Sequence, residues 1–252
     1  MSAAFGIDIG GSGMKAAPVD IDTGELLDQR YRLPTPKPGT PREIAGVAHE
    51  LLRWFEWDGP VGCAFPAPVV NSTAKWVAHL DDSWTGVDIA AAMGDQIGAS
   101  VTVINDADAA GIAEMAHGAG AGRQGTVCFT AFGTGIGSSV FVDGRLVPNT
   151  EFGHLYLAGH DSQVERWAAA KIRQRDDLDW PTWVGRIKQY LEHLETIISP
   201  DLFILGGGIS KDFDVWGPLL EIDTEIAVAQ MRNNAGIAGA AMASAGAPAS
   251  AM

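Results

Sequence analysis

Three short apolar segments of this chain each end in a glycine-rich turn, and this repetition constrains the possible fold more than any other feature. The segments with their turns are residues 3–13, 126–137 and 202–208. Glycine suits such turns because its backbone, without a Cβ atom, adopts conformations that other residues avoid. Segments with apolar residues at helical spacing, such as 42–55 and 180–198, lie between them. The alternation predicts an α/β fold made of two related lobes.

The boundary between the lobes is predicted near Asn105. Residues 1–105 then form a small N-terminal lobe, and residues 106–235 form a larger C-terminal lobe. A segment of small residues at about 236–252 predicts a helix that returns to the first lobe. The chain of 252 residues is long enough for two such lobes to bury apolar cores.

The net charge and the cysteine content of the chain exclude several classes of protein. The net charge of −14 should repel nucleic acid and anionic membranes. Two cysteines, Cys63 and Cys128, are too few for a disulfide framework or a zinc cluster. The chain shows neither a signal-peptide pattern at its start nor the run of ~18 apolar residues that a membrane helix needs. We therefore expect a cytoplasmic enzyme without nucleic-acid or membrane partners.

The first glycine turn has residues that suit a phosphate group. It reads Asp8-Ile9-Gly10-Gly11-Ser12-Gly13-Met14-Lys15 and joins two predicted strands. Its backbone N–H groups can face an anion, its serine and lysine can add a hydroxyl and a charge, and its aspartate can hold Mg²⁺ through water. The candidate residues are Asp8, Gly10, Gly11, Ser12, Gly13 and Lys15. The loop matches neither the Walker pattern nor a dinucleotide fold, and a plain hairpin remains the alternative.

The second glycine turn, Phe132-Gly133-Thr134-Gly135-Ile136-Gly137-Ser138, again joins two predicted strands. Its candidate phosphate-binding residues are Gly133, Thr134, Gly135 and Gly137. With one such loop in each lobe, a cleft between the lobes would hold a chain of phosphates. The third turn, residues 206–208, fits a packing turn and a nucleotide contact about equally well.

Acidic residues near the ends of predicted strands and loops are candidates for proton transfer and sugar binding. Asp106 follows a strand, and an ordinary aspartate is ionised at neutral pH and can accept a proton. The alternative is a helix cap, a role that Asp108 could also fill. Glu151 and His154 suit sugar hydroxyls, which need both donors and acceptors. Their alternative is a loop ion pair with a buried histidine.

Four segments resemble the ROK family of sugar kinases and repressors: the two glycine loops, residues 105–111 and residues 151–155. Within that family, residues 149–154 and 200–204 resemble bacterial polyphosphate glucokinases. The resemblance extends from about residue 5 to residue 244. It implies the two-lobed, actin-like ATPase fold, which is ribonuclease H-like, with a cleft between the lobes. It also implies transfer of a terminal phosphoryl group from inorganic polyphosphate to the 6-hydroxyl of glucose, with ATP left open as a second donor.

The resemblance also implies roles for individual residues. Asp106 becomes the general base, and Asn105, Asp106, Glu151 and His154 bind the sugar. Glu165 is the best match to a further sugar-binding glutamate of the family. Most ROK members carry a cysteine-rich zinc motif before that glutamate, but residues 155–164 contain no cysteine, so we expect no structural zinc. Mg²⁺ is expected with either donor, and the family often forms homodimers.

Polyphosphate is a polyanion, so an acidic protein needs a local positive track to hold it. Six of the 17 basic residues lie in one short region, namely Arg166, Lys171, Arg173, Arg175, Arg186 and Lys188. The alternative is a solvated helix face, since aspartates at 176, 177 and 179 interrupt this cluster. Two other functions stay open: an ATP-dependent glucokinase or mannokinase, and a sugar-responsive repressor. The repressor is disfavoured, because only seven residues precede Asp8 and a DNA-reading module needs more.

Overall fold

The computed structural model describes residues 2–78 and 80–246. They form two compact units, called here unit 1 (residues 2–117 and 234–246) and unit 2 (residues 118–233). The last part of the predicted C-terminal helix, residues 247–252, lies outside the described residues. Within the described ranges, no helix has the length and apolar character needed to cross a membrane.

The units contain twelve strands and eight α-helices among the described residues. The strands are β1 (Ala3–Ile9), β2 (Met14–Asp20), β3 (Tyr31–Leu33), β4 (Val61–Phe65), β5 (Val69–Val70), β6 (Thr73–Ala74), β7 (Val101–Asn105), β8 (Thr126–Phe132), β9 (Ile136–Val142), β10 (Arg145–Val147), β11 (Leu202–Gly206) and β12 (Glu225–Val228). The helices are α1 (Pro41–Trp54), α2 (Ile89–Ile97), α3 (Asp106–His117), α4 (Glu165–Ala168), α5 (Ala170–Arg175), α6 (Trp180–Ile198), α7 (Phe213–Trp216) and α8 (Ala235–Ser244).

Unit 1 is built on a five-stranded sheet with the order β3-β2-β1-β4-β7. Strands β1, β4 and β7 are parallel, whereas β2 and β3 continue from β1 as an antiparallel meander. Asp8 is in register with Ala64, and Ala64 with Ile104, so the carboxyl ends of the three parallel strands coincide at one edge. One face of the sheet packs on α1 and α2 through apolar side chains such as Phe5 and Ile7.

The opposite face of this sheet packs on α8, which approaches so closely that only glycine fits at the contacts. A Cβ atom on Gly62 would lie 1.7 Å from the carbonyl oxygen of Ala240, and one on Gly239 would lie 1.7 Å from that of Ala109. Helix α8 therefore lies between the sheet and α3. This packing assigns α3 to unit 1, so the units divide after residue 117 rather than at the predicted residue 105.

Unit 2 has a five-stranded sheet with the order β10-β9-β8-β11-β12. It repeats the pattern of unit 1, since three antiparallel strands are followed by strands parallel to the first. The long helix α6 buries Trp183, Ile187 and Tyr190 against Cys128 and Phe132 of β8. The matching strand orders agree with the prediction of two related lobes.

Candidate active site

The first predicted phosphate loop connects β1 to β2 in unit 1. Asp8 lies directly opposite Lys15 in the antiparallel register, and Nζ of Lys15 lies 3.3 Å from Oδ2 of Asp8. The exposed fraction is 19% for the Asp8 side chain and 27% for that of Lys15. The loop closes where the N–H of Gly10 donates to the carbonyl oxygen of Gly13 at 3.1 Å. A carboxylate, an ammonium group and a glycine backbone are thus held together.

Two side chains that sequence reasoning missed anchor this loop. The hydroxyl of Thr35 donates to the carbonyl oxygen of Gly10. Nη2 of Arg32 donates to the carbonyl oxygen of Ser12 at 2.8 Å. A Cβ atom on Gly13 would lie 2.4 Å from the Arg32 guanidinium, so this glycine makes room for the arginine. Nothing in the local sequence indicates these contacts, because they depend on the pairing of β3 with β2.

The carboxylate of Asp8 faces a glycine on α8. A Cβ atom on Gly236 would lie 3.1 Å from Cγ of Asp8, so the glycine leaves space beside the carboxylate. Within residues 2–78 and 80–246, no group of three His, Cys, Asp or Glu side chains could hold a metal ion. Asp8 could supply one carboxylate ligand, which fits Mg²⁺, because this ion usually keeps several waters and takes one or two carboxylates plus substrate phosphates.

Asp106 is the first residue of α3 and follows β7 at the edge of the sheet where β1 ends. The preceding Asn105 caps the helix, since its Oδ1 accepts from the N–H groups of Ala107 at 2.9 Å and Asp108 at 3.0 Å. Its Nδ2 donates to the carbonyl oxygen of Ala67 at 3.2 Å. The cap that the sequence left open is therefore Asn105. The half-buried Asp106 carboxylate accepts from the N–H of Ala107 at 2.8 Å.

The second predicted phosphate loop connects β8 to β9 in unit 2. The strands pair up to Phe132 opposite Ile136, and the N–H of Gly133 donates to the carbonyl oxygen of Gly135 at 3.0 Å. A carboxylate already lies against this loop. Oε2 of Glu165 accepts from the N–H of Ile136 at 3.4 Å and would lie 2.3 Å from a Cβ atom on Gly135. The loop and a candidate sugar ligand are thus in direct contact.

Glu151 directly precedes a short 3-10 turn, Phe152–His154, and His154 is the last residue of that turn, which packs on β9. A Cβ atom on Gly153 would lie 2.1 Å from the carbonyl oxygen of Ile136, so the close approach requires glycine. The Ser138 hydroxyl also holds the segment, because it accepts from the N–H of Phe152 at 3.0 Å. The sequence assigned no role to this serine, although it is the last residue of the predicted loop.

The charges of this segment influence one another. Nε2 of His154 lies 3.6 Å from Oε1 of Glu165. Burial raises the pKa of the Glu151 carboxyl, while the nearby His154 opposes this shift and the charge of Glu165 adds to it. The structure brings Glu151, His154 and Glu165 together with the Gly133–Gly137 turn, as a group of acceptors and one imidazole in unit 2.

The third glycine turn packs on the second loop. Gly207 has a φ of +85°, and a Cβ atom on it would lie 2.2 Å from the carbonyl oxygen of Phe132. Both the left-handed backbone and the close approach require glycine. Packing therefore accounts for this turn without a nucleotide.

The basic residues predicted as a polyphosphate track have unequal surroundings. Four of the six contact groups of unit 2, namely Arg173 over the Trp180 ring at 3.6 Å, Arg175 with Asp176 at 2.6 Å, Arg186 with the carbonyl oxygen of Trp167 at 2.6 Å, and Lys188 with Glu192 at 3.8 Å. Arg166 and Lys171 are exposed and form no ion pair with another described residue. The cluster is thus in part a network of internal contacts.

Sequence comparison identifies related proteins. The ROK family model matches residues 4–167 of this chain. The polyphosphate glucokinase of Mycobacterium tuberculosis (strain CDC 1551 / Oshkosh) is 46% identical over 241 residues, which cover 95% of this chain and 90% of the relative. The polyphosphate glucokinase of Mycobacterium leprae (strain TN) is 44% identical over 244 residues, or 95% of this chain and 74% of the relative.

Solved structures of similar fold cover nearly the whole chain. The inorganic polyphosphate/ATP-glucomannokinase from Arthrobacter sp. strain KM has a TM-score of 0.92 at 44% identity, covering 97% of this chain and 99% of that one. A ROK family glucokinase from Streptomyces griseus, in complex with glucose and AMPPNP, has a TM-score of 0.80 at 22% identity, covering 97% and 100%. These similarities confirm the predicted α/β class and the two-lobed, actin-like ATPase fold.

Proposed function

Because this chain belongs to the ROK family, we propose that it is a polyphosphate-dependent glucokinase. It transfers the terminal phosphoryl group of inorganic polyphosphate to the 6-hydroxyl of glucose and forms glucose 6-phosphate. The support is twofold: two relatives at 44–46% identity are polyphosphate glucokinases, and unit 1 has the candidate base Asp106 and the candidate phosphate loop at the same edge of one sheet.

The observation that carries the proposal is the position of Asp106 relative to Asp8. Strands β1 and β7 are both parallel to β4, and Asp8 is in register with Ala64 and Ile104. Adjacent strands lie ~4.8 Å apart. A carboxylate that can accept a proton and a loop that can hold a phosphate therefore share one edge of one sheet. Phosphoryl transfer to a hydroxyl needs both.

Asp106 acts as the general base in the proposed reaction. It accepts the proton of the 6-hydroxyl while the oxygen attacks the terminal phosphorus. The bond between that phosphorus and the bridging oxygen breaks, and polyphosphate leaves one phosphate shorter. A positioned base contributes about 10²–10⁴ in rate. Asn105 holds Asp106 in place by capping α3 and contributes to the proposed sugar site beside it.

The phosphate site in unit 1 consists of the loop backbone and two charged side chains. The N–H groups of the loop, the Ser12 hydroxyl and Lys15 stabilise the negative charge on the transferred group. Asp8 would hold Mg²⁺ through water, and this ion, when bound, neutralises charge on the phosphate oxygens. The loop in unit 2 is proposed as a second phosphate contact through Gly133, Thr134, Gly135 and Gly137.

Glu151, His154 and Glu165 are the proposed sugar ligands in unit 2. Two carboxylates accept hydrogen bonds from sugar hydroxyls, and the imidazole can donate or accept. Among the basic residues of unit 2, Arg166 and Lys171 are the proposed polyphosphate contacts. Arg173, Arg175 and Lys188 would join them only if their present contacts opened.

The deciding experiment measures glucose 6-phosphate formation by the purified protein with long-chain polyphosphate or ATP as the only donor, each with Mg²⁺. We expect turnover with polyphosphate. Turnover with ATP but none with polyphosphate would overturn the proposal and favour the ATP-dependent kinase. Polyphosphate freed of nucleotide by enzymatic digestion is the necessary control.

A second candidate activity concerns the acceptor and the second donor. The Arthrobacter protein at 44% identity is named for both polyphosphate and ATP and for both glucose and mannose. The same assay with mannose in place of glucose, and with each donor, tests whether this chain has the broader range. We also propose that the protein is cytoplasmic and that it forms a homodimer. Light scattering tests the homodimer and should give twice the mass of the chain.

A further inference from the structure

Two arginines lie in or directly before β3, the edge strand of the unit 1 sheet, and one of them contacts the phosphate loop. Arg32 is the central residue of β3, and Arg30 directly precedes that strand. In the sheet register, Arg32 lies opposite Lys15 of β2, and Lys15 lies opposite Asp8 of β1. Side chains of directly opposed residues share a face and lie ~5 Å apart. Asp8, Lys15 and Arg32 therefore form a row across three strands.

Both arginines are held by neutral oxygens. Nη2 of Arg32 donates to the carbonyl oxygen of Ser12 at 2.8 Å. Nη1 of Arg30 donates to Oδ1 of Asn234, directly before α8, at 2.9 Å. Helix α8 is also the element whose Gly236 faces Asp8. The two guanidinium groups are thus fixed on the same side of the sheet as the loop and the Asp8 carboxylate.

The charge of these arginines is not neutralised within the described residues. Neither forms an ion pair there, although the chain has 31 acidic residues. Both side chains are exposed. Lys15, in contrast, shares its charge with Asp8 at 3.3 Å. Since the protein has a net charge of −14, two arginines without an ion-pair partner among the described residues, one of them on the phosphate loop, mark a local positive site.

We propose that Arg30 and Arg32 bind the phosphates of polyphosphate that lie beyond the transferred one, and so favour long-chain donors. The inference rests on the proposed function. A guanidinium group has five N–H donors in a planar fork that matches a phosphate, and each arginine uses one of them in the contacts above. A long polyphosphate chain presents more phosphates to this row than a short donor does, so its affinity should depend more strongly on it.

The test uses Arg30→Gln, Arg32→Gln and the double variant, with Arg53→Gln as the matched control. Arg53 is exposed, lies in the last turn of α1 in unit 1, and forms no ion pair with a described residue. Binding of fluorescently labelled long-chain polyphosphate is measured over a range of salt concentrations. The same variants are assayed for kcat/KM with long-chain polyphosphate, tripolyphosphate and ATP.

We expect the double variant to bind the long chain at least about tenfold more weakly. The slope of the logarithm of its affinity against the logarithm of the salt concentration should fall by about two. The loss of kcat/KM should be larger for the long chain than for tripolyphosphate, with KM for glucose unchanged. Arg32→Lys should retain part of the affinity, because it keeps the charge while altering the contact with Ser12.

Two results would overturn the inference. One is unchanged binding of the long chain, and the other is an equal loss with every donor, which would mean that Arg32 only supports the loop. The proposed function fails separately, if the wild-type protein forms no glucose 6-phosphate from polyphosphate. In that case the binding measurement still decides the role of the arginines, and a wild-type protein that binds no long chain contradicts that role as well.

Discussion

Nε2 of His154 lies 3.6 Å from Oε1 of Glu165, so two candidate sugar ligands from separate segments of unit 2 contact each other. The other oxygen of the same carboxylate accepts from the N–H of Ile136 in the second glycine loop at 3.4 Å. One glutamate therefore links that loop to the sugar-binding candidates. A change at this carboxylate should affect both.

Replacing Glu165 by glutamine should raise KM for glucose at least about tenfold, because the amide keeps the shape but removes the charged partner of His154. Steady-state kinetics at saturating polyphosphate measures the effect. Glu221→Gln makes the same change at an exposed position of unit 2 and should leave KM within about twofold. An unchanged KM in Glu165→Gln would place this residue outside the sugar site.

Asp106→Asn should lower kcat by about 10²–10⁴ while glucose still binds, because the amide cannot accept the hydroxyl proton. Calorimetric titration with glucose and single-turnover kinetics separate the two effects. The neighbouring Asn105→Ala should instead lower the unfolding free energy by about 1 kcal/mol, since Asn105 caps α3. Full turnover by Asp106→Asn would show that another group takes the proton.

Gly153→Ala should destabilise the protein by about 1–3 kcal/mol, because its Cβ atom would lie 2.1 Å from the carbonyl oxygen of Ile136. The same shift should move Glu151 and His154 and raise KM for glucose. Gly185→Ala is the control, since a Cβ atom at this position within α6 would have no neighbour within 4 Å beyond its own helix and alanine favours helix. Chemical denaturation compares the two, and equal stabilities would contradict the close contact.

Glucose binding should weaken on acidification. Because of Glu151, the weakening should begin at a higher pH than it would with a glutamate of ordinary pKa. Burial raises the pKa of Glu151 from the usual value of 4.5, and its protonated form loses acceptor capacity. Glu151→Gln should remove this acid limb from the pH profile of 1/KM, whatever its effect on affinity at neutral pH. A limb that stays in place would mean that Glu151 does not cause it.

The raised pKa of Glu151 also makes the folding stability depend on pH, in the direction opposite to that of glucose binding. The folded protein binds the Glu151 proton more tightly than the unfolded chain does, so the stabilisation is complete below pH 4.5 and is lost as the pH rises through the raised pKa. Relative to Glu151→Gln, the wild type should lose unfolding free energy over that rise. Denaturant titrations at a series of pH values measure the difference, and a constant difference would contradict the shift.

Neither cysteine should react with iodoacetamide in the native protein. Cys63 and Cys128 are both fully buried, and burial raises the pKa of Cys128 to about 12 and that of Cys63 well above its usual value. Both should be alkylated in concentrated guanidinium chloride, as mass spectrometry would show. Alkylation of either thiol under native conditions would reveal local opening of its unit.

Much of the candidate site could be predicted from local patterns. The glycine turns after Ile9 and Phe132 join two strands each, as their sequences indicate, because a turn and its flanking strands are neighbours along the chain. The position of Asp106 directly after a strand was predicted in the same way. The sequence left the helix cap open between candidates, and the structure assigns it to Asn105 through hydrogen bonds that depend on side-chain orientation.

Sequence alone therefore determined the kinds of elements, and it named the candidate loops for phosphate and the candidate acidic residues for a sugar. Only the tertiary structure decided which of these residues lie together. Arg32 reaches the first loop through strand register, Glu165 contacts the second loop from the start of α4, and α3 joins unit 1 because α8 packs on it without room for a Cβ atom. Such contacts depend on pairing and close approach between distant segments, which no local pattern encodes.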